Sequence, residues 1–200
     1  MTGTTPKSVA GLVLCGGEST RMRREKALIS VGGLSLLLHV AGLLHHVADP
    51  VVLAPGRPGR LGSLGYDEVA DAVPGSGPLG GLVAGLAASP HPLTAVVAVD
   101  MPFASPPLFK LLADLHGDED AVVPRTGGRP EPLHAVYAAS ALPTLRVALK
   151  ERRLTLHALL SSLRVRWIDE EEWRAADPTG RFAVNINREE DIAHLDNLTG

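Results

Sequence analysis

Short apolar runs, each stopped by glycine, proline or acid, alternate along the chain with longer stretches of helical spacing. Residues 9–14 are uniformly apolar and run into Gly16-Gly17, the pattern of a strand buried on both faces. Over 34–47, residues Leu36, Leu37, Val40, Leu43, Leu44 and Val47 fall on one broad helical face. A second apolar run, 50–54, ends at Pro55-Gly56. Residues 78–88 predict a helix with Pro78 in the first turn, where its missing N–H costs nothing. The clearest buried strand is 94–99, which ends at Asp100-Met101-Pro102. Ser105 has the chemistry of an N-cap, followed by a helix through 108–115. Further strands are predicted at 121–124, 133–137 and 165–168, and further helices at 140–150, 154–163 and 189–198.

Strands alternating with helices imply an α/β layer fold, with a mostly parallel sheet and helices on both faces. The length of 200 residues suits one domain over 1–200, with 1–8 as a flexible N-terminal tail. Sheets of this kind bind ligands beyond the carboxyl ends of their strands. Two features fall at such ends: the glycines after Leu14 and the acid after Val99. Residues 57–65, rich in Gly, Arg and Pro, read as a surface loop.

Composition narrows the function. Apolar residues make up 45% and charged residues 20%, the balance of a globular chain. A net charge of -3 supplies no basic field for nucleic acid, so phosphate must be bound by a local site. The lone cysteine, Cys15, excludes an internal disulfide or a cysteine zinc site. No apolar run reaches the roughly 18 residues of a membrane span, and the expectation is a cytoplasmic protein. His39, His45, His46, His91, His116, His157 and His194 show no metal-ligand spacing. The acids 169–172 read as a solvated face, and Trp167 and Trp173 as packing.

The stretch 14–26 reads Leu-Cys-Gly-Gly-Glu-Ser-Thr-Arg-Met-Arg-Arg-Glu-Lys. Glycines let backbone N–H groups approach a ligand's oxygens. Arg21 can contact phosphate through two donors, and Lys26 adds a point charge. No Gly-Lys-Ser/Thr follows, so this is not a P-loop. Asp100, at a strand's carboxyl end, could hold magnesium (Mg2+), which takes carboxylate, water and phosphate oxygens. Asp71 precedes the glycine-rich stretch 73–81, and its carboxylate could accept hydrogen bonds from a base edge or ribose. Gly75-x-Gly77-x-x-Gly80 formally matches a dinucleotide fingerprint, but 71–74 is a poor strand and Pro78 is atypical there.

The order Leu14-Cys15-Gly16-Gly17, Ser19, Arg21-Met22, Lys26 resembles the signature loop of nucleotidyltransferases. Within these, the chain looks like the molybdenum cofactor guanylyltransferase family, from Gly11 almost to its end. The resemblance implies a three-layer Rossmann-like domain that transfers GMP from GTP to molybdopterin with release of pyrophosphate. It assigns nucleotide contacts to Leu14, Cys15, Gly16, Gly17 and Ser19, and phosphate charge to Arg21 and Lys26. It gives guanosine recognition to Asp71, the metal to Asp100, and the pterin acceptor or the metal to Asn185 and Asn187, with 129–137 near that acceptor. Asn187 could instead cap the last helix. The chain departs from the family at Cys15, usually Ala, at Arg23, usually Gly, and at Glu25, usually Asp. Ala54-Pro55 stands where an Asn is common, so that a base or ribose contact is missing or moved to backbone. The alternatives are CTP as donor, a sugar or lactyl phosphate as acceptor, and a nucleotide-binding relative without turnover. The expected assembly is a monomer in transient contact with cofactor-delivery proteins.

Overall fold

The computed structural model describes residues 8–16, 25–31, 33–186 and 191. β1 (Val9–Leu14) is followed by a 3-10 turn (Lys26–Leu28) and an antiparallel pair, β2 (Ser30–Val31) with β3 (Leu34–Ser35), which leads into α1 (Leu36–His45). β4 (Val51–Gly56), β5 (Asp67–Ala70), α2 (Pro78–Ala88), β6 (Leu93–Ala98) and α3 (Pro106–Leu115) come next. β7 (Ala121–Thr126), β8 (Arg129–Pro130), β9 (His134–Ala138), α4 (Leu142–Lys150), α5 (Leu156–Leu159), β10 (Val165–Ile168) and α6 (Glu170–Trp173) complete the named elements.

The main sheet has the order β10-β7-β9-β6-β1-β4-β5, and β8 pairs with β7. β10 with β7, and β6, β1, β4 and β5 with one another, run parallel. β9 is antiparallel to both its neighbours. The mostly parallel sheet expected from the alternation is therefore present.

Its two faces carry two separate cores. Val9 and Val13 of β1 join Leu36, Leu37, Val40 and Leu44 of α1 and Leu108, Phe109 and Leu112 of α3. Leu12 and Leu14 point the other way, toward Leu79, Leu82 and Leu86 of α2 and Leu145 of α4. Successive strand residues face opposite sides, so a strand covered by helices on both faces has no solvent-facing position. That is why β1 and β6 are buried at every residue.

α2 packs close to the sheet because it has a glycine at the crossing. A Cβ added at Gly85 would lie 2.3 Å from Leu12 Cδ2. Gly85→Val should therefore cost about 1–3 kcal/mol through overpacking, measured as a lower urea midpoint with an unchanged slope.

Several boundaries differ from the sequence reading. α1 begins at Leu36, two residues later than the apolar spacing suggested, because Ser35 Oγ accepts the Leu38 N–H at 3.3 Å and caps the helix. β5 was not foreseen: Asp67-Glu68-Val69-Ala70 is an edge strand, and edge strands carry charge. The acids after β10 remain largely exposed but form α6, where Asp169 and Glu172 make a capping box. Trp173 is buried, and its indole N–H donates to the Arg125 carbonyl at 2.9 Å. The expected tail (1–8), apart from Ser8, and the closing helix, apart from Asp191, lie outside the described residues. No helix among the described residues is long and apolar enough to cross a membrane.

Candidate active site

β1 lies between β4, its successor on one side, and β6 on the other. Strand order reverses there, so a crevice opens beyond the carboxyl end of β1. Leu14, Cys15 and Gly16 line its floor. The Leu14 carbonyl accepts the Val99 N–H at 3.0 Å, and the Cys15 N–H donates to the Ala54 carbonyl at 3.1 Å. A Cβ at Gly16 would come within 3.1 Å of the Gly56 nitrogen, so the turns after β1 and β4 almost touch. Burial pushes the Cys15 thiol up to about 12, which favours its protonated form. Gly17, Ser19 and Arg21 lie outside the described residues, as does Arg23.

Lys26 and Asp100, 74 residues apart in sequence, meet at this crevice with Nζ 3.3 Å from Oδ2. Both side chains keep a limited opening to solvent, 16% for Lys26 and 28% for Asp100. The Asp100 turn is held from several directions. The Met101 N–H donates to the Ala98 carbonyl, the Ile186 N–H donates to the Asp100 carbonyl at 2.8 Å, and His39 Nε2 lies 2.8 Å from the Pro102 carbonyl. Asp100 Oδ1 is buried and has no hydrogen-bond partner among the described residues. A buried carboxylate oxygen without a donor is costly unless a ligand completes it. A hard cation fits that oxygen. No group of three His, Cys, Asp or Glu that could hold a metal occurs among the described residues. A cation here would draw its other ligands from water and phosphate, as magnesium does.

Asp71 sits on the opposite rim. Its N–H donates to the Gly56 carbonyl at 3.1 Å. A Cβ at Gly81 would lie 3.5 Å from Asp71 Oδ1 and 2.9 Å from Leu14 Cδ2, and one at Gly56 would lie 3.7 Å from Asp71 Oδ2. The carboxylate is thus packed against glycine backbone beside Leu14, and desolvation raises its pKa. Gly77 caps α2 with φ 60 and ψ -149, a backbone conformation essentially restricted to glycine. The fingerprint glycines follow a turn rather than a strand, so the dinucleotide reading lacks its structural context.

Asn185 is exposed, next to the Ile186 amide that bonds Asp100, and its side chain donates to the Ala183 carbonyl at 3.3 Å. Asn187 lies outside the described residues. Within 129–137, His134 turns inward. Its ring stacks on Phe109 at 3.9 Å and its Nε2 accepts the Ser105 N–H at 3.0 Å. Burial lowers its pKa to about 3, so the ring is a neutral core group that fixes the start of α3 rather than an acceptor ligand.

Glu131 is half-buried, and desolvation pushes its carboxyl up to about 7. The unfolded carboxyl ionises near its ordinary 4.5 while the folded one keeps its proton, so its contribution to stability falls between those two pH values and then levels off. Glu131→Gln should remove this decline. Thermal melts should show the variant gaining on the parent from about pH 4.5 to about pH 7 and holding a constant lead above.

Sequence reasoning missed Arg60. Its loop read as surface, yet its guanidinium reaches the backbone of Cys15 and Pro55. Nothing in an Arg within a Gly/Pro-rich stretch marks it as half-buried.

A carboxylate with one oxygen on a lysine and the other without a partner among the described residues suits a ligand that brings both anion and cation, which is a metal-bound polyphosphate. With a glycine turn at the switch point and a second carboxylate on the far rim, the protein class is nucleotidyltransferase. Residues 11–170 match the family of MobA-like NTP transferase domains, and the chain belongs to that family. It is 33% identical over 182 residues to a protein of Pelotomaculum thermopropionicum called "probable molybdenum cofactor guanylyltransferase", covering 91% of this chain and 89% of that one. It is 32% identical over 189 residues to the molybdenum cofactor guanylyltransferase of Desulfosudis oleivorans, covering 92% and 93%. The crystal structure of molybdopterin-guanine dinucleotide biosynthesis protein A from Archaeoglobus fulgidus superposes with a TM-score of 0.83 at 26% identity, covering 95% of this chain and 98% of that one.

Proposed function

We propose that this chain transfers GMP from GTP to molybdopterin, forming a guanine dinucleotide cofactor and releasing pyrophosphate. The observation that carries the reading is the Lys26–Asp100 pair at the mouth of the β1 switch point, with Asp100 Oδ1 left without a partner among the described residues. The names of the relatives support the choice of donor and acceptor.

An oxygen of the acceptor's terminal phosphate attacks the α-phosphorus of GTP. The bond from that phosphorus to its bridging oxygen breaks, and pyrophosphate takes the electron pair. The attacking phosphate is already anionic, so the chain need not supply a strong base. Its contribution is positioning and charge neutralisation. Asp100 would hold magnesium, which would supply positive charge to offset that of the phosphates. Lys26 and Arg21 receive charge that builds on pyrophosphate. Backbone at Leu14, Cys15, Gly16 and Gly17, with the Ser19 hydroxyl, orients the triphosphate. Asp71 accepts hydrogen bonds from the guanosine, and Asn185 and Asn187 serve the acceptor side. The protein works as a cytoplasmic monomer in transient contact with proteins that deliver the cofactor.

Calorimetry with GTP, CTP, ATP and UTP in the presence of magnesium, followed by pyrophosphate release on molybdopterin, tests this. GTP should bind about tenfold or more tightly than the other three, and only GTP should support turnover. Equal binding of all four, or turnover with CTP alone, overturns the assignment of guanosine.

A further inference from the structure

Arg60 joins three segments at the entrance to the crevice. Its Nη2 donates to the Cys15 carbonyl at 2.5 Å, and its Nε donates to the Pro55 carbonyl at 2.8 Å. Its Nη1 lies 2.6 Å from Glu25 Oε1. The guanidinium side chain is 17% exposed, so these contacts are shielded from water. Cys15 and Glu25 stand on either side of the glycine-containing stretch 16–24, and Pro55 belongs to β4, the strand beside β1. One planar group with donors in fixed directions thus sets the separation of both flanks against the sheet. Lysine, a single point charge, cannot reproduce that fork.

Two consequences follow for a nucleotide. The Cys15–Gly16 peptide is planar and trans, so a carbonyl pulled toward Arg60 turns the Gly16 N–H the opposite way. Glu25 is the immediate neighbour of Lys26, and a bare carboxylate there would repel a triphosphate. Pairing with Arg60 cancels that charge and leaves the Lys26 cation to act on the ligand.

We infer that Arg60 is a positioning residue for nucleotide binding, acting through Cys15, Pro55 and Glu25 rather than by touching the reacting atoms. This rests on the reading that the crevice receives Mg·GTP.

The test compares full-length parent, Arg60→Ala and Arg60→Lys by calorimetry with Mg·GTP, by steady-state pyrophosphate release and by thermal melting. Arg60→Ala should raise both Kd and KM for GTP by about tenfold or more, with kcat within about threefold of the parent. Arg60→Lys, which restores the charge but not the fork, should recover part of the affinity. An unchanged Kd and KM in Arg60→Ala overturns the inference, as does a fall in kcat at constant KM. If Arg60→Ala does not fold, Arg60→Lys decides: a KM raised at least about threefold supports positioning, and a parental KM refutes it. Failure of the parent itself to bind Mg·GTP defeats the nucleotide reading, and this inference with it.

Discussion

Asp100→Ala is expected to lower pyrophosphate release by at least about a thousandfold while leaving the fold in place. The size of the effect follows from the position of the carboxylate. Asp100 is an acid at the strand-end crevice whose buried Oδ1 has no donor among the described residues. Among the described residues, no group of three His, Cys, Asp or Glu stands ready to hold a cation in its place. Stability should hardly change. The substitution removes the ion pair to Lys26 but also relieves an uncompensated oxygen, and the two effects oppose each other. The thermal midpoint should move by no more than about 4 °C. Asp100→Asn, of nearly the same shape, should be almost as inactive, which separates charge from packing. Near-normal pyrophosphate release by either variant would remove Asp100 from the metal role.

Lys26→Ala should reduce kcat by about a hundredfold to a thousandfold and weaken GTP binding by about tenfold. Lys26 Nζ is the cation the structure places beside Asp100, 3.3 Å from Oδ2. Its loss leaves that carboxylate without its partner and the pyrophosphate without a counter-charge. Lys26→Arg should recover part of the binding, because the charge remains while its geometry changes. A magnesium titration distinguishes the two residues. Asp100→Ala should lose the magnesium dependence of residual turnover, whereas Lys26→Ala should keep it. Parental kcat in Lys26→Ala would show that the pair is only structural.

Much of the fold was legible because burial leaves a periodic trace. Val9 to Leu14 is apolar throughout and the run before Asp100 is apolar except for Thr94, and only a strand between two helix layers needs that. Ser105 and Pro78 marked helix starts through chemistry confined to one turn. β5 left no such trace, since an edge strand needs no apolar alternation when its outer side meets water. The termini of the site were legible too: an acid after a buried strand and glycines after another could be placed on one edge of the sheet without coordinates.

The sequence by itself determined the layers and the residue types that stand just beyond β1 and β6. Only the tertiary structure decided which of these meet: Lys26 with Asp100, Arg60 with Cys15 and Glu25, and Asp71 against Gly81 and Leu14. It also turned His134 into the core against Phe109. Periodicity records whether a position is buried, a property of its own few neighbours along the chain. Partnership across 74 residues depends on the strand order of the whole sheet, which no local pattern encodes.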